Sequence, residues 1–194
     1  MKVQIIIGST RPGRVSDRVA RWVAQEAQKL AETEVEILDL RDFDLPFFDE
    51  AISPQYNPDR VPSEVVKKWL DKLAEADAYV LVTPEYNRSY PAVLKNALDY
   101  VDFQMARKPV ALVAHGSNGG AQAVSHLRGV LPGLLAVTVP KAMLFGDPAA
   151  NLIDESGKLA KDAGRLEGIL GAMLGDLKWY TDALSVARAQ EVKD

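Results

Sequence analysis

A chain of 194 residues, 47% hydrophobic and 26% charged, is long enough to bury a sizeable core and reads as one domain over 1–194. Without cysteine it can have no disulfide, thiolate nucleophile or thiolate metal site, and its two histidines, His115 and His126, lack the surrounding carboxylates of a metal centre. A net charge of −4, no apolar run near membrane-spanning length and an N-terminus that enters a strand without a leader argue against nucleic acid, membrane and secretion. A cytoplasmic protein acting on small molecules is expected.

The run Val3-Gln4-Ile5-Ile6-Ile7 reads as a buried strand, broken by Gly8-Ser9-Thr10 and the turn Arg11-Pro12-Gly13-Arg14. From Ser16 the period changes: Val19, Trp22, Val23 and Ala27 recur at helical spacing, predicting a helix to about Leu30. A strand, a polar loop and a helix N-terminus bring orphan amides and a helix dipole to one spot. With hydroxyls at Ser9, Thr10 and Ser16 and guanidiniums at Arg11 and Arg14, the expected anion is a phosphate. An exposed polar turn without a ligand is the plainer alternative. The loop lacks the lysine of a P-loop and the glycine spacing of a dinucleotide site, which leaves a single phosphate as the better fit.

Val35 to Leu40 is the second predicted strand. Asp42 to Pro62 is rich in turn residues yet carries Phe43, Phe47, Phe48 and Tyr56, so it reads as a packed loop lining a pocket or a partner surface. A helix follows from Pro62 through Leu73, then a third strand over Ala78 to Thr83. Pro84 to Pro91 is a loop, Ala92 to about Phe103 a helix, and Pro109 to Ala114 the fourth strand. His115 to Gly120 is a glycine-rich loop and Ala121 to Leu131 a helix; a fifth strand starts at Ala136 and resumes around Ala142 to Phe145. Gly146 to Gly157 is irregular, and a last helix is expected from about Leu159 to Ala187. Trp22, Trp69 and Trp179 lie at helical spacing with other apolar residues and are expected to pack.

Strands alternating with helices predict a parallel sheet covered on both faces, with a ligand beyond the carboxyl ends of its strands. That joins three loops into one site. In the second, Tyr86 and Tyr90 offer flat faces, and Asn87 and Ser89 offer hydrogen bonds to a planar heterocycle. Glu85 reads as a structural acceptor better than as a base, having no acid partner. The third loop's Gly116, Gly119 and Gly120 allow close backbone approach, with Ser117 and Asn118 free to bond a ligand chain or ring edge. His115 reads as a loop cap or a ligand contact, and His126 as structural.

With Gly8-Ser9-Thr10-Arg11, the run from Pro84-Glu85-Tyr86-Asn87 to Pro91, and Leu94-Lys95-Asn96-Ala97-Leu98-Asp99 behind it, residues 1–145 resemble the NAD(P)H-dependent FMN reductase family. That family is flavodoxin-like and includes quinone, azo-dye and chromate reductases. The resemblance implies a doubly wound five-stranded sheet of order 2-1-3-4-5 with helices on both faces. It implies FMN with its phosphate at Ser9, Arg11, Arg14 and Ser16, its ring bordered by Pro84, Glu85, Tyr86 and Asn87, and its other edge along His115, Gly116 and Ser117. NADPH or NADH would deliver hydride to flavin N5, and a quinone, flavin or azo acceptor would collect it in ping-pong order. No side chain is then catalytic and no metal is needed. Family members form homodimers and homotetramers, with the flavin near the interface. Many place Ser and Asn soon after GS-x-R, whereas here Pro12 to Val15 intervene and Asp17 follows Ser16, so Asp17 is expected to turn away and cap the helix. An electron carrier or flavin sensor without NAD(P)H turnover, a non-flavin enzyme on the same fold, and a protein using FMN as substrate are the other readings.

Overall fold

The computed structural model describes residues 1–146, 148–160 and 163–191. The strands are β1 (Lys2–Ile7), β2 (Glu34–Asp39), β3 (Ala78–Pro84), β4 (Pro109–His115) and β5 (Val137–Leu144). Between and after them come α1 (Ser16–Ala27), α2 (Glu64–Ala74), α3 (Ala92–Asp99), α4 (Ala121–Val130), the single turn α5 (Ala149–Leu152) and α6 (Arg165–Glu191). All strand pairs are parallel and the order is 2-1-3-4-5, the flavodoxin-like arrangement.

Alternation along each strand sorts apolar side chains onto two faces. Val3, Ile5 and Ile7 of β1 join Val80 and Val82 of β3 and Val113 of β4 under α1 and α6, against Trp22, Val23, Met173 and Leu177. Ile6, Leu81 and Leu112 face the other way, onto Trp69 and Leu73 of α2, Leu94 and Leu98 of α3 and Leu127 of α4. Every residue of β3 is buried, as a central strand covered on both faces requires. The chain leaves β1 toward β2 on one side and leaves β3 toward β4 on the other. Their following loops diverge and open a crevice at the carboxyl edge.

Gly8 opens the first of these loops and passes close under α3. Its amide donates to the Val82 carbonyl at 2.8 Å, and a Cβ there would lie 2.9 Å from Leu94 Cδ2. The segment after β2 is docked through Phe43 and Phe48, whereas Phe47 and Tyr56, expected to pack with them, stand exposed. Asn96 of α3 accepts from the Phe48 amide at 2.8 Å and donates to the Pro46 carbonyl at 2.7 Å. Farther along, buried Arg60 grips Glu50 at 2.7 and 2.8 Å and Asp102 at 3.1 Å.

Three expectations change. The last helix begins at Arg165, because Asp154 Oδ1 accepts the amides of Ser156 (2.9 Å) and Lys158 (3.0 Å) and closes a turn that pairs Leu159 with Ile153. Lys161 and Asp162 lie outside the described residues. The stretch after Gly146 holds the short α5, and Asp147 within it is likewise outside them. Trp22 and Trp69 are buried, but Trp179 is 65% exposed and sets its ring edge-on to its neighbour Tyr180, since it stands on the outer side of α6. Among the described residues, no helix is long and apolar enough to cross a membrane.

Candidate functional site: three laced loops at the carboxyl edge

The first loop, residues 8–15, presents unpaired donors. Among the described residues, the amides of Ser9, Thr10, Gly13, Val15, Ser16 and Asp17 make no hydrogen bond to protein. Val15 occupies the cap position of α1 and offers no capping side chain; Asp17 accepts the Arg18 amide at 3.0 Å, and the amides of Val15, Ser16 and Asp17 stay open at the dipole end. Exposed Arg11 sets its guanidinium carbon 5.8 Å from the centre of the Tyr86 ring. Thr10 is half-buried beside it.

The other expected phosphate ligands are engaged within the protein. Ser9 is fully buried, with its hydroxyl 2.9 Å from the Tyr86 hydroxyl. Ser16 is buried with its hydroxyl 2.9 Å from His115 Nε2. Arg14, a predicted phosphate ligand, has a 5% exposed side chain. It donates from Nη1 to Asp39 Oδ1 at 2.7 Å and to the Ser9 carbonyl, and from Nη2 to Asp39 Oδ2. Burial works to raise the Asp39 carboxyl, but the hydrogen bonds from Arg14 and from the Arg41 amide outweigh it and hold the carboxyl below its ordinary value. Asp17 does not stand at the cap position of α1, but its Oδ1 accepts the first-turn amide of Arg18 at 3.0 Å. It lies in the first turn, where its carboxylate meets Arg21 at 3.1 Å one turn on, along the helix surface.

In the second loop Tyr86 and Ser89 exchange both backbone hydrogen bonds, at 2.7 and 3.0 Å, around a two-residue turn. Asn87 and Arg88 both adopt positive φ, +49° and +71°, the signature of the tight turn that matches strand twist. The loop is thus a miniature hairpin that projects Asn87 at its tip and presents the Tyr86 ring toward Arg11. Pro84 ends β3 and is buried. Glu85 donates its amide to the His115 carbonyl at 2.8 Å, while its carboxylate accepts from the amides of Gln122 (2.9 Å) and Ala123 (3.4 Å). That carboxylate is the N-terminal cap of α4, the structural acceptor role its isolation suggested, and it points away from a ligand at the loop rim. Ser89 likewise turns to α4, with its hydroxyl 3.0 Å from His126 Nδ1. Tyr90 packs against the core beneath α3 and α4, and burial pushes its phenol up.

The third loop leaves β4 at His115, whose burial lowers its pKa to about 4, so the ring is neutral near neutral pH. Gly120 stands at the cap position of α4 in the left-handed region at φ +83°, where a Cβ would fall 2.8 Å from the backbone nitrogen of His115. Among the described residues the amides of Gly116, Ser117 and Asn118 have no protein acceptor, and Ser117 and Asn118 are exposed. A Cβ at Gly116 would press on Glu85 Cβ at 3.0 Å, so the second and third loops touch.

Three contacts lace the loops into one rim: Ser9 to Tyr86, Ser16 to His115 and Glu85 to His115. Sequence reasoning missed Asp39, Arg41 and Asn96. Arg41 donates to the carbonyls of Thr10 and Arg11 at 3.2 and 2.6 Å, so it and Asp39 hold the first loop from below. Their signal was a charged pair at the carboxyl end of β2, next to the switch point. Among the described residues no group of three or more His, Cys, Asp or Glu is arranged to hold a metal.

Comparison with known proteins matches this description. The family model for NADPH-dependent FMN reductase matches residues 1–149. An NAD(P)H-dependent FMN reductase of Schizosaccharomyces pombe is 34% identical over 174 residues, 88% of this chain and 87% of that one. A quinone reductase of Escherichia coli K12 is 31% identical over 180 residues, 89% of this chain and 92% of that one. Among solved structures, the flavoenzyme NAD(P)H:(acceptor) oxidoreductase FerB of Paracoccus denitrificans superposes with a TM-score of 0.70 at 24% identity, covering 92% of this chain and 98% of that one, a likeness of fold. The chain belongs to the NADPH-dependent FMN reductase family of oxidoreductases.

Proposed function

We propose that this chain binds FMN on the three-loop rim, takes reducing equivalents from NADPH or NADH, and passes them to a quinone, flavin or azo acceptor in ping-pong order. The observation that carries the reading is the first loop: free amides, an open helix N-terminus and the exposed Arg11 meet at one mouth. That donor set suits a terminal phosphate. When bound, FMN supplies a ring nitrogen that accepts a hydride and gives it up again.

The protein's own work is binding, orientation and charge. Arg11 and the amides of Thr10, Gly13 and Ser16 would hold the phosphate. Pro84, the Tyr86 ring and Asn87 would border one edge of the ring system, and the amides of Gly116 and Ser117 the other, where donors favour a negatively charged reduced ring. His115 is neutral and already bonded to Ser16, so it serves as a spacer between loops and not as an acid. One open face visited in turn by donor and acceptor gives the ping-pong order.

Exposed Phe47, Tyr56, Val61 and Phe103 support self-association, a dimer or tetramer whose second copy shields that segment. The test is an anaerobic absorbance scan of protein with FMN, first with NADPH, then with NADH, then with a quinone. Bleaching by a nicotinamide and recovery on adding quinone, with parallel initial-rate lines, are expected. Bound flavin that resists both nicotinamides overturns the reading in favour of a carrier or sensor.

A further inference from the structure

Three guanidiniums gather at the first loop, and two of them face away from its mouth. Arg14 donates to the carbonyl of Ser9, and Arg41 to the carbonyls of Thr10 and Arg11. Three consecutive carbonyl oxygens are therefore captured from beneath. Asp39 organises both donors: its carboxylate takes Arg14 in a two-pronged pair, and its Oδ1 also accepts the Arg41 amide at 2.9 Å. Arg14 is nearly inaccessible, whereas Arg11 is exposed on the opposite side with no ion pair among the described residues.

The peptide bonds here are trans, and in a trans peptide the C=O and the next N–H point in opposite directions. Drawing the Ser9 carbonyl down therefore turns the free amide of Thr10 up, while the Arg11 amide, opposite the Thr10 carbonyl, is held by Ser9 Oγ at 3.4 Å. Released, the same carbonyls could rotate into the mouth and present partial negative charge where an anion must sit. Such prior orientation lowers the ordering cost of binding.

We propose that Asp39, Arg14 and Arg41 are positioning residues for a phosphate monoester, a brace that touches no ligand and aims the first loop's amides at it. This rests on the FMN reading above and departs from the expectation that Arg14 grips the phosphate. The two roles predict opposite signs for one substitution. If Arg14 were a ligand, Asp39→Asn would free it and remove a nearby negative charge, so FMN would bind more tightly. With Arg14 as part of a brace, Asp39→Asn loosens the loop and FMN binds more weakly, although a negative charge has gone.

The experiment is flavin fluorescence quenching on apoprotein, with FMN and riboflavin titrated separately. For Asp39→Asn, FMN affinity is expected to fall about tenfold, the loss of roughly one good hydrogen bond, with riboflavin little changed. Unchanged or tighter FMN binding overturns the brace, and so does an equal loss for both flavins, which marks general destabilisation. Should Asp39→Asn fail to fold, Arg41→Lys on the exposed side decides: it keeps the charge but not the fork that spans two carbonyls, and the same selective loss for FMN is expected. Equal affinity of the unaltered protein for both flavins would instead reject the phosphate site itself.

Discussion

Arg11 and Glu85 show how one charged residue reaches outward at the rim while another is used up inside it. Arg11 has no ion pair among the described residues and leans over the Tyr86 ring, so its charge is available to a ligand. Arg11→Ala is expected to weaken FMN binding by about tenfold or more, with riboflavin much less affected. Equal losses in a parallel titration would remove the phosphate from this loop. Glu85 closes two α4 amides that would otherwise lack acceptors, and its negative charge sits at the positive end of that helix. Glu85→Ala is expected to cost about 1–2 kcal/mol in urea denaturation, and Glu85→Gln less than half of that, because the amide side chain keeps the acceptor and loses only the charge. Identical costs for the two would show that the charge, and not the hydrogen bond, makes the cap.

The segment after β2 is the element most exposed to change. It carries little regular structure, only short 3-10 turns at Leu40–Asp42 and Pro54–Tyr56, and is held by side-chain clasps, Gln55 to the carbonyls of Asp102 and Gly133 at 3.0 and 3.1 Å among them. Asn96 holds its start, and Arg60 folds it back onto Asp102 through Glu50. Arg60→Ala leaves two half-buried carboxylates facing each other without their cation, a loss of about 2 kcal/mol and faster proteolytic nicking between residues 43 and 62. Nicking at the unaltered rate would mean the aromatic contacts suffice, such as Phe48 edge-on to Tyr100 at 5.2 Å. That the segment packs was legible from Phe43 and Phe48, while Phe47 and Tyr56 gave the same signal and stay exposed. Its clasps were not, because Asn96 and Arg60 find their partners only once α3 and the loop are folded together. The hairpin turn was hidden for a related reason. Asn87-Arg88 lacks the glycine that announces such turns, and the positive φ of Arg88 is imposed by the Tyr86–Ser89 pairing around it.

At the scale of the whole molecule the parallel sheet was readable from strand runs and helical periods, its order from the family resemblance, and the meeting of three loops at the carboxyl edge from the switch-point rule. What escaped was the long-range side-chain chemistry that laces the loops, and its consequence is a pH dependence of stability with a defined window. His115 is held neutral by burial, its pKa lowered from 6.5 to about 4. The unfolded chain takes up a proton at this residue below about 6.5, while the native fold refuses it until about 4. Stability is therefore complete above the ordinary histidine value and is lost as pH falls through that window, by at most about 3 kcal/mol. The depressed carboxylates act elsewhere: Asp39 and Glu36, held low by their basic partners against the opposing effect of burial, lose their contribution only below the ordinary values of 3.8 and 4.5. Between about pH 7 and about pH 5 the slope thus belongs to His115, and urea denaturation of apoprotein should lose about 2 kcal/mol. His115→Gln keeps a partner for the Ser16 hydroxyl but cannot titrate, so its stability should stay level over the same range. If the variant and the parent protein decline in parallel, the lacing histidine is not the acid-sensitive group, and the Ser16 contact between α1 and β4 is no more than a hydrogen bond.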